Sequence, residues 1–167
     1  MIDRLHSKRT RICEFLQQAS TLGTVSKLLV CDVMTRWPSC VGSEATVLEV
    51  VKIFHEKQFR HLLVVEGRKL VGVISDRDIL RCFGRHESAD QAYLAAISVA
   101  DVMSRDVITI SGQRPISEAI DMLVDNGVNC LPVVDDGVLV GVITSTDFYA
   151  VLQALLETIP IGDSSPA

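Results

Sequence analysis

The stretch Gly72-Val73-Ile74-Ser75-Asp76-Arg77-Asp78 occurs a second time, in altered form, as Gly141-Val142-Ile143-Thr144-Ser145-Thr146-Asp147. Each copy ends an apolar run with a hydroxyl side chain and places an aspartate three residues later. This form predicts a strand that turns directly into a helix. The hydroxyl would lie beside the first helical amides, which have no partner within the helix, and the carboxylate in the first turn. Each copy therefore predicts either a self-capped helix start or a cradle for a ligand.

Both stretches belong to a longer internal repeat with an offset of 69 residues. The register holds without a gap between residues 30–81 and residues 99–150, and the longest identity joins Leu70–Ile74 to Leu139–Ile143. Blocks of identity that recur in the same order indicate internal duplication.

Each copy predicts the order strand, helix, strand, strand, helix. The expected strands cover 39–41, 62–65 and 70–74 in the first copy and 108–110, 131–134 and 138–143 in the second; helices begin near Thr46 and Pro115 and again at Ser75 and Thr144. A unit of about 50 residues is too small to bury both faces of a three-stranded sheet. We therefore expect an α/β (α+β) fold in which two β-α-β-β-α repeats pack with pseudo-twofold symmetry.

The segments outside the repeats complete the expected organisation. It comprises an N-terminal helix within 1–29, the first repeat at 30–84, a linker helix within 85–98, the second repeat at 99–159 and a disordered tail at 160–167. The N-terminal helix is expected to pack on the body or on a partner subunit, and a DNA-reading or membrane-surface helix is the alternative. Apolar residues at helical spacing over 151–159 predict a core or dimer contact.

Composition narrows the classes of function. The formal net charge of -5 and the pI near 5.3 disfavour nonspecific nucleic-acid binding, which needs a basic face. The sequence has no apolar run long enough for a membrane span and no apolar secretion signal at its start, so a cytoplasmic protein is expected.

Five cysteines, odd in number and without C-x-x-C spacing, favour neither a disulfide framework nor a zinc site. We expect small buried residues, with Cys40 and Cys130 in the core. Trp37 is expected to pack, and His55 to face solvent. No metal site is predicted, and because no Ser-His-Asp or Cys-His pattern occurs, no catalytic residue is assigned and an enzyme is not expected.

The duplicated motifs resemble the CBS (cystathionine beta-synthase) domain family. The resemblance rests on Asp32-Val33-Met34 and Asp101-Val102-Met103, on the apolar strand before each hairpin, and on the Gly-Val-Ile-Ser/Thr-x-x-Asp endings. It covers about residues 30–151. It implies a tandem pair of CBS domains, often called a Bateman module, that binds an adenosine-containing ligand such as AMP, ADP, ATP or S-adenosylmethionine in clefts between the repeats. It also implies a homodimer that regulates a partner protein, and no required cofactor.

The family motif assigns roles to individual positions of this sequence. Ser75 and Thr144 would lie near the ligand phosphate, and Asp78 and Asp147 would accept the ribose hydroxyls. In this family, the position just before the Leu-x-Val strand of each repeat often carries a base that faces the phosphates. These positions hold Arg60 and His61 in the first repeat and Asn129 and Cys130 in the second. Arg77 is a further candidate phosphate cation, and Asn129 and Pro132 are candidate lining residues.

The two copies depart from the family pattern differently. The first has Leu63 and Gln58 where the second has Pro132 and Gly127, which makes the shape of the first cleft an open question. Only the first copy supplies cations. If one cleft is filled, we expect it to be that of Thr144 and Asp147, with Arg60 or His61 reaching across. The alternative function is a ligand-independent dimerisation scaffold in which both motifs are only helix caps, each contributing about 1 kcal/mol.

Overall fold

The structure is a computed structural model that describes residues 2–18, 28–83 and 90–158. Its helices are α1 (Ile2–Gln18), α2 (Val30–Val33), α3 (Val47–Lys57), α4 (Asp76–Phe83), α5 (Gln91–Ala96), α6 (Val99–Val102), α7 (Ile116–Asp125) and α8 (Ser145–Thr158). Its strands are β1 (Thr35–Arg36), β2 (Cys40–Gly42), β3 (His61–Glu66), β4 (Lys69–Ser75), β5 (Cys130–Asp135) and β6 (Val138–Thr144). The mixed α+β fold with two tandem repeats is confirmed. The predicted tail lies outside the described residues.

Each repeat contributes a hairpin to a three-stranded sheet. One sheet has the order β2-β3-β4, with β2 parallel to β3 and β3 antiparallel to β4. The other has the order β1-β6-β5, with β1 antiparallel to β6. The turn between β5 and β6 places Asp136 and Gly137 at φ values of 50° and 74°, as the Asp-Asp-Gly sequence predicts.

The predicted strand at 108–110 is wrong. The second repeat forms an isolated parallel bridge between Ile110 and Val133, where the first repeat pairs three residues of β2 with β3. Ile110 donates its N–H to the Pro132 carbonyl at 3.1 Å and accepts from Val134 at 2.9 Å. Because a proline has no N–H, Pro132 cannot donate the next bond, and the pairing ends before it reaches Ile108.

The described chain divides into two compact units that do not coincide with the repeats. Unit 1 contains the described residues up to Met34, Gly112–Leu131 and those from Ile143 onward; unit 2 contains Thr35–Ser111, as far as described, and Pro132–Val142. The main core cluster of unit 2 consists of Val47, Val50, Leu62, Val64, Ile74, Ile79, Leu94, Val99 and Met103. Buried side chains of unit 1 include Ile12, Val30, Val33, Ile116, Leu123, Ile143, Val151 and Ala154.

Equivalent backbone hydrogen bonds explain why each unit combines parts of both repeats. In each unit, residues at the start of one repeat form backbone hydrogen bonds with residues at or just before the first turn of a helix in the other repeat. The bonds are Val30 N–H to Arg114 O (2.9 Å) and Ile116 N–H to Leu28 O (3.0 Å) in unit 1, and Val99 N–H to Ala45 O (2.7 Å) and Val47 N–H to Ile97 O (2.9 Å) in unit 2. The two repeats therefore satisfy each other's exposed backbone groups at the first turns of α2, α3, α6 and α7.

Position 72 in unit 2 has room only for glycine, because Met103 and Ser104 lie close to its Cα atom. A Cβ atom at this position would lie 2.5 Å from the Met103 sulfur and 2.9 Å from the Ser104 carbonyl oxygen. Ser104 and Val73 exchange two backbone hydrogen bonds, at 3.0 and 2.9 Å, so the carbonyl cannot move away without breaking them. The glycine before Val73 therefore makes room for the Asp-Val-Met segment of the other repeat.

The ends of α3 and α7 have the same backbone conformation despite different residues. Gln58 follows α3 with a φ of 55°, and Gly127, its counterpart, has a φ of 61°. The Gln58 amide donates to the His55 carbonyl at 2.9 Å, which ties the side chain to the helix end. The replacement of glycine by Gln58 therefore does not change the chain path at this position.

Single positions test the remaining expectations on packing. Cys82 and Cys130 are buried and His55 is exposed, as predicted for Cys130 and His55. The predictions for Cys40 and Trp37 are wrong. Cys40 is exposed on β2, and Trp37 is 85% exposed with a φ of 54°, because the chain turns outward between β1 and Pro38.

Candidate functional site

The two Ser/Thr-x-x-Asp motifs have the same local geometry. In the first copy β4 ends at Ser75 and α4 begins at the next residue; in the second, β6 ends at Thr144 and α8 follows. The Asp78 Oδ2 atom accepts from the Ser75 N–H at 2.8 Å and from its hydroxyl at 2.7 Å. The Asp147 Oδ2 atom accepts from Thr144 in the same way, at 2.7 and 3.0 Å. One oxygen of each aspartate thus caps its own helix, and Oδ1 meets another partner.

In the first copy this partner is an arginine at the surface. The Arg81 guanidinium donates to Asp78 Oδ1 at 3.0 Å, and its side chain is 70% exposed. Water and salt reach the guanidinium end of this pair, whereas the Asp78 side chain is only 8% exposed, so the pair is screened from one side. Although Asp78 is buried, Arg81 can leave it for solvent without losing a packed environment.

The strand pairing brings the predicted residues of the first repeat together. His61 lies opposite Ser75 in the β3–β4 register, and the Asp76 N–H donates to the Arg60 carbonyl at 3.1 Å. Arg60 is exposed, as is Arg77 on the first turn of α4. The backbone of the first repeat therefore brings Arg60, His61 and Arg77 close to the Ser75–Asp78 pair at the start of α4.

Burial governs the charge of His61. Desolvation lowers its pKa below 6.5, and the nearby Arg60 and Arg77 act in the same direction, against Asp76 and Asp78. His61 is therefore neutral at pH 7 and acts as a hydrogen-bonding group. The standing positive charge at this helix start belongs to Arg60 and Arg77.

The second repeat reproduces the backbone and changes the side chains. The Ser145 N–H donates to the Asn129 carbonyl at 3.2 Å, which matches the bond between Asp76 and Arg60. Asn129 is exposed, and Pro132 is buried in β5. The position of His61 is taken by Cys130, which is 8% exposed, and burial together with the nearby Asp147 raises the pKa of Cys130 to about 12. Asn129 and Cys130, which take the positions of Arg60 and His61, therefore carry no charge.

A cation from α1 meets the second aspartate. The Lys8 ammonium forms an ion pair with Asp147 Oδ1 within unit 1, and both side chains are only 7% exposed. Helix α1 packs against α8, and Arg9 and Cys13 lie 3.4 and 3.5 Å from carboxylate oxygens of Glu157. The expectation that the N-terminal segment forms a helix packed on the body is confirmed.

Neither Lys8 nor Arg81 was predicted from the sequence as a site residue. Arg81 lies three residues after Asp78, a spacing that places two side chains on one helix face, so the pattern could have indicated this pair. For Lys8 the one signal is Ile12, four residues later on the same face of α1 and 2% exposed. The basic residues elsewhere along α1 make this signal ambiguous.

The described residues contain neither a cluster that could hold a metal ion nor a helix that could span a membrane. Within 2–18, 28–83 and 90–158, no three His, Cys, Asp or Glu side chains are grouped so that they could hold a metal ion. Over the same ranges, no helix combines the length and apolar character that crossing a membrane requires.

Comparison with family models gives two matches to the CBS domain, at residues 30–85 and 99–154. Among curated proteins, an uncharacterized protein of Methanopyrus kandleri is 30% identical over 131 residues, which are 77% of this chain and 62% of that protein. The inosine-5'-monophosphate dehydrogenase of Nitrosopumilus maritimus is 33% identical over 118 residues, which are 70% of this chain and 22% of the enzyme. The chain thus spans less than two thirds of the length of either relative.

Solved structures with the same fold include proteins with bound ligands. A Vibrio cholerae protein named as an acetoin utilization protein, AcuB, has a TM-score of 0.68 and 32% identity, covering 78% of this chain and 93% of that one. The CBS domain pair of protein MJ0100, in complex with 5'-methylthioadenosine and S-adenosyl-L-methionine, has a TM-score of 0.65 and 27% identity, covering 75% and 99%. CBSX2 in complex with AMP has a TM-score of 0.64 and 27% identity, covering 77% and 96%.

Proposed function

Because the chain belongs to the CBS-domain family and carries two copies of the domain in tandem, we propose that it is a regulatory module that binds an adenosine-containing nucleotide. The ligand class comprises AMP, ADP, ATP and S-adenosylmethionine. Binding changes the conformation of the module, and this change is transmitted to a partner protein. No residue of the described chain is assigned a catalytic role in this proposal.

One observation carries the proposal. At the start of α4, the Ser75 hydroxyl donates to the Asp78 carboxylate, His61 lies opposite Ser75 in the β3–β4 register, and the Arg60 carbonyl accepts from the Asp76 N–H. Two similar structures of the same fold contain AMP or S-adenosylmethionine, which supports the ligand class.

The chemistry of this helix start suits such a ligand. The first amides of a helix and its positive dipole end favour a phosphate, and arginine side chains bind phosphate oxygens. A carboxylate accepts hydrogen bonds from the two neighbouring hydroxyls of a ribose. Asp78 would exchange Arg81 and its cap bonds for these contacts, and Arg81 is exposed enough to leave.

A ligand-independent homodimer is the second candidate function. Both aspartates already make cap bonds, which gives each motif a structural role without a ligand. Large apolar side chains are also exposed on one face of α8, where Tyr149, Leu152 and Leu156 are 67%, 53% and 62% exposed. A second copy of the chain could bury this face in either function, so the dimer alone does not separate the two.

Thermal unfolding with nucleotides tests the proposal. AMP, ADP, ATP and S-adenosylmethionine are each added at millimolar concentration, and the Tm is compared with that of the chain alone. A ligand present at 100 times its Kd adds about 2.7 kcal/mol to the free energy of unfolding, so at least one of the four is expected to raise the Tm by several degrees. An unchanged Tm with all four favours the scaffold.

Two aspartate variants locate the effect. Asp78→Ala is expected to abolish the Tm increase given by the ligand, whereas the matched control Asp106→Ala, at an exposed aspartate, is expected to keep it. An increase that survives Asp78→Ala in full contradicts the assignment of Asp78 to the ribose.

A further inference from the structure

Asp147 has a partner that an open nucleotide site would not have. Its Oδ2 caps α8, and its Oδ1 is held by the Lys8 ammonium, which α1 brings to the helix start. Both oxygens that would accept ribose hydroxyls are therefore engaged from inside the protein. In the first copy, the corresponding contact comes from Arg81, whose side chain is 70% exposed and lies in the same helix as Asp78.

Burial makes the contact of Lys8 hard to exchange for a ligand. Lys8 is 6% exposed and Asp147 is 5% exposed, so neither charge is solvated by bulk water. A buried ion pair that loses one partner leaves the other charge uncompensated, which is strongly unfavourable. A ribose at Asp147 thus requires that Lys8 reach water, and Lys8 cannot do so while α1 stays packed against α8.

The contacts of α1 that can be described between residues 6 and 14 include few buried side chains. Between residues 6 and 14, the buried side chains are Lys8 and Ile12. The pairs with Glu157 involve side chains that are partly exposed: Arg9 is 28% and Glu157 is 49% exposed. Within residues 6–14, the buried contacts of α1 therefore combine one charge with one apolar residue.

We propose that α1 covers the second nucleotide site, with Lys8 in the place of the ribose hydroxyls. Docking of α1 and binding of a nucleotide at Thr144 and Asp147 exclude each other, while the site at Ser75 and Asp78 is open. Release of α1 is then the conformational change by which the second site reports its occupancy. This inference rests on the proposed function. It reverses the expectation that the second cleft is filled first.

Calorimetric titration of the full chain with AMP as the probe tests whether α1 covers the site at Thr144 and Asp147. Wild type is expected to bind one AMP per chain, and Lys8→Met, which keeps the length of the side chain and removes its charge, is expected to bind two. In the Asp78→Ala background, Lys8→Met is expected to strengthen the remaining binding at least tenfold, and Asp147→Ala is expected to remove it again. Arg11→Met, at an exposed position of the same helix, is the matched control and is expected to have no effect.

The outcomes separate the two proposals. If wild type binds AMP through Asp78 and Lys8→Met adds neither a site nor affinity, the cover is refuted and the proposed function stands. If no variant binds AMP and none of ADP, ATP and S-adenosylmethionine binds either, both are refuted.

Hydrogen exchange of wild type gives a second readout that does not depend on the folding of a variant. Amides of α1 are expected to exchange faster at AMP concentrations that fill the second site. Two AMP molecules bound per chain with unchanged exchange in α1 would overturn the cover.

Discussion

The starts of α4 and α8 perform the same local chemistry and differ in what meets the second carboxylate oxygen. Each aspartate caps its helix through Oδ2, with hydrogen bonds between 2.7 and 3.0 Å. Asp78 Oδ1 is paired with an exposed arginine of its own helix, and Asp147 Oδ1 with a buried lysine 139 residues away. A motif therefore fixes the helix start, while the availability of its carboxylate depends on residues far outside the motif.

The two copies are expected to differ most in the stability that is lost when the aspartate carboxylate is removed. Asp147→Ala removes the carboxylate that pairs with the buried Lys8 ammonium and is expected to lower the free energy of unfolding by about 3–5 kcal/mol, unless release of α1 limits the loss. Asp78→Ala loses one helix cap and a surface pair, which corresponds to about 1 kcal/mol. Denaturant unfolding of both variants measures the two losses. Equal losses would show that Lys8 is not held as the structure has it.

A smaller loss of stability is expected at Gly72, where the two repeats approach each other closely within unit 2. Gly72→Ala places a methyl group against Met103 and the Ser104 carbonyl and is expected to cost about 1–3 kcal/mol. Gly42→Ala is the control, because nothing lies within 4 Å of a Cβ atom there. Chemical denaturation curves of the two variants give the comparison. Full stability of Gly72→Ala would contradict the close approach of the two repeats at this residue.

Exchanging the residues at the two helix ends is expected to change the free energy of unfolding by about 1 kcal/mol, in opposite directions for the two copies. Gln58→Gly relieves a left-handed residue and is expected to stabilise the chain by up to about 1 kcal/mol, whereas Gly127→Gln is expected to destabilise it by a similar amount. Shifts of the unfolding midpoint measure both. A loss of stability in Gln58→Gly would mean that the bond from Gln58 to the His55 carbonyl outweighs the backbone strain.

The smallest effect is expected in the pH dependence of ligand binding. The pKa of His61 is lowered by burial in the free protein, and an anionic phosphate beside it would raise that pKa, so binding takes up protons. The ratio of wild-type affinity for AMP to that of His61→Gln is therefore expected to grow about threefold from pH 8 to pH 6. Comparing the two proteins at each pH cancels the titration of AMP itself.

His55→Gln is the control for this titration because His55 is exposed. The second copy has Cys130 at the position of His61, with a pKa raised to about 12, and contributes no titration in this range. A constant ratio from pH 8 to pH 6 would place His61 away from the phosphate.

The sequence predicted what depends on local patterns and on duplication. The strands and helices around Ser75 and Thr144 and the turn at Asp136 follow from hydrophobic alternation and turn residues, whereas the position of Arg60 near the start of α4 was implied by the family resemblance. The missing strand at 108–110 is explained by Pro132, whose effect appears only when the partner strand is known. The prediction for Trp37 failed because an aromatic residue beside a proline does not show which way the chain turns.

The contact of Lys8 could not be predicted for a different reason. Helical spacing groups Lys8 with Ile12, but the pattern does not state what their face packs against, and the partner Asp147 lies in a distant part of the sequence. The site residues of both repeats therefore stay predictions, and whether a site is open depends on tertiary contacts that the motif does not encode.

The separation of Lys8 and Asp147 along the chain also fixes an order in time. During synthesis Lys8 leaves the ribosome first, and its partner follows 139 residues later. Throughout that interval α1 has no α8 to pack against, so it joins unit 1 only when most of the other described elements have been made. A contact that closes so long a loop forms late in folding, since the entropy of closure must be overcome before the ion pair can form. We therefore expect a newly made chain to present the Asp147 carboxylate before α1 reaches it.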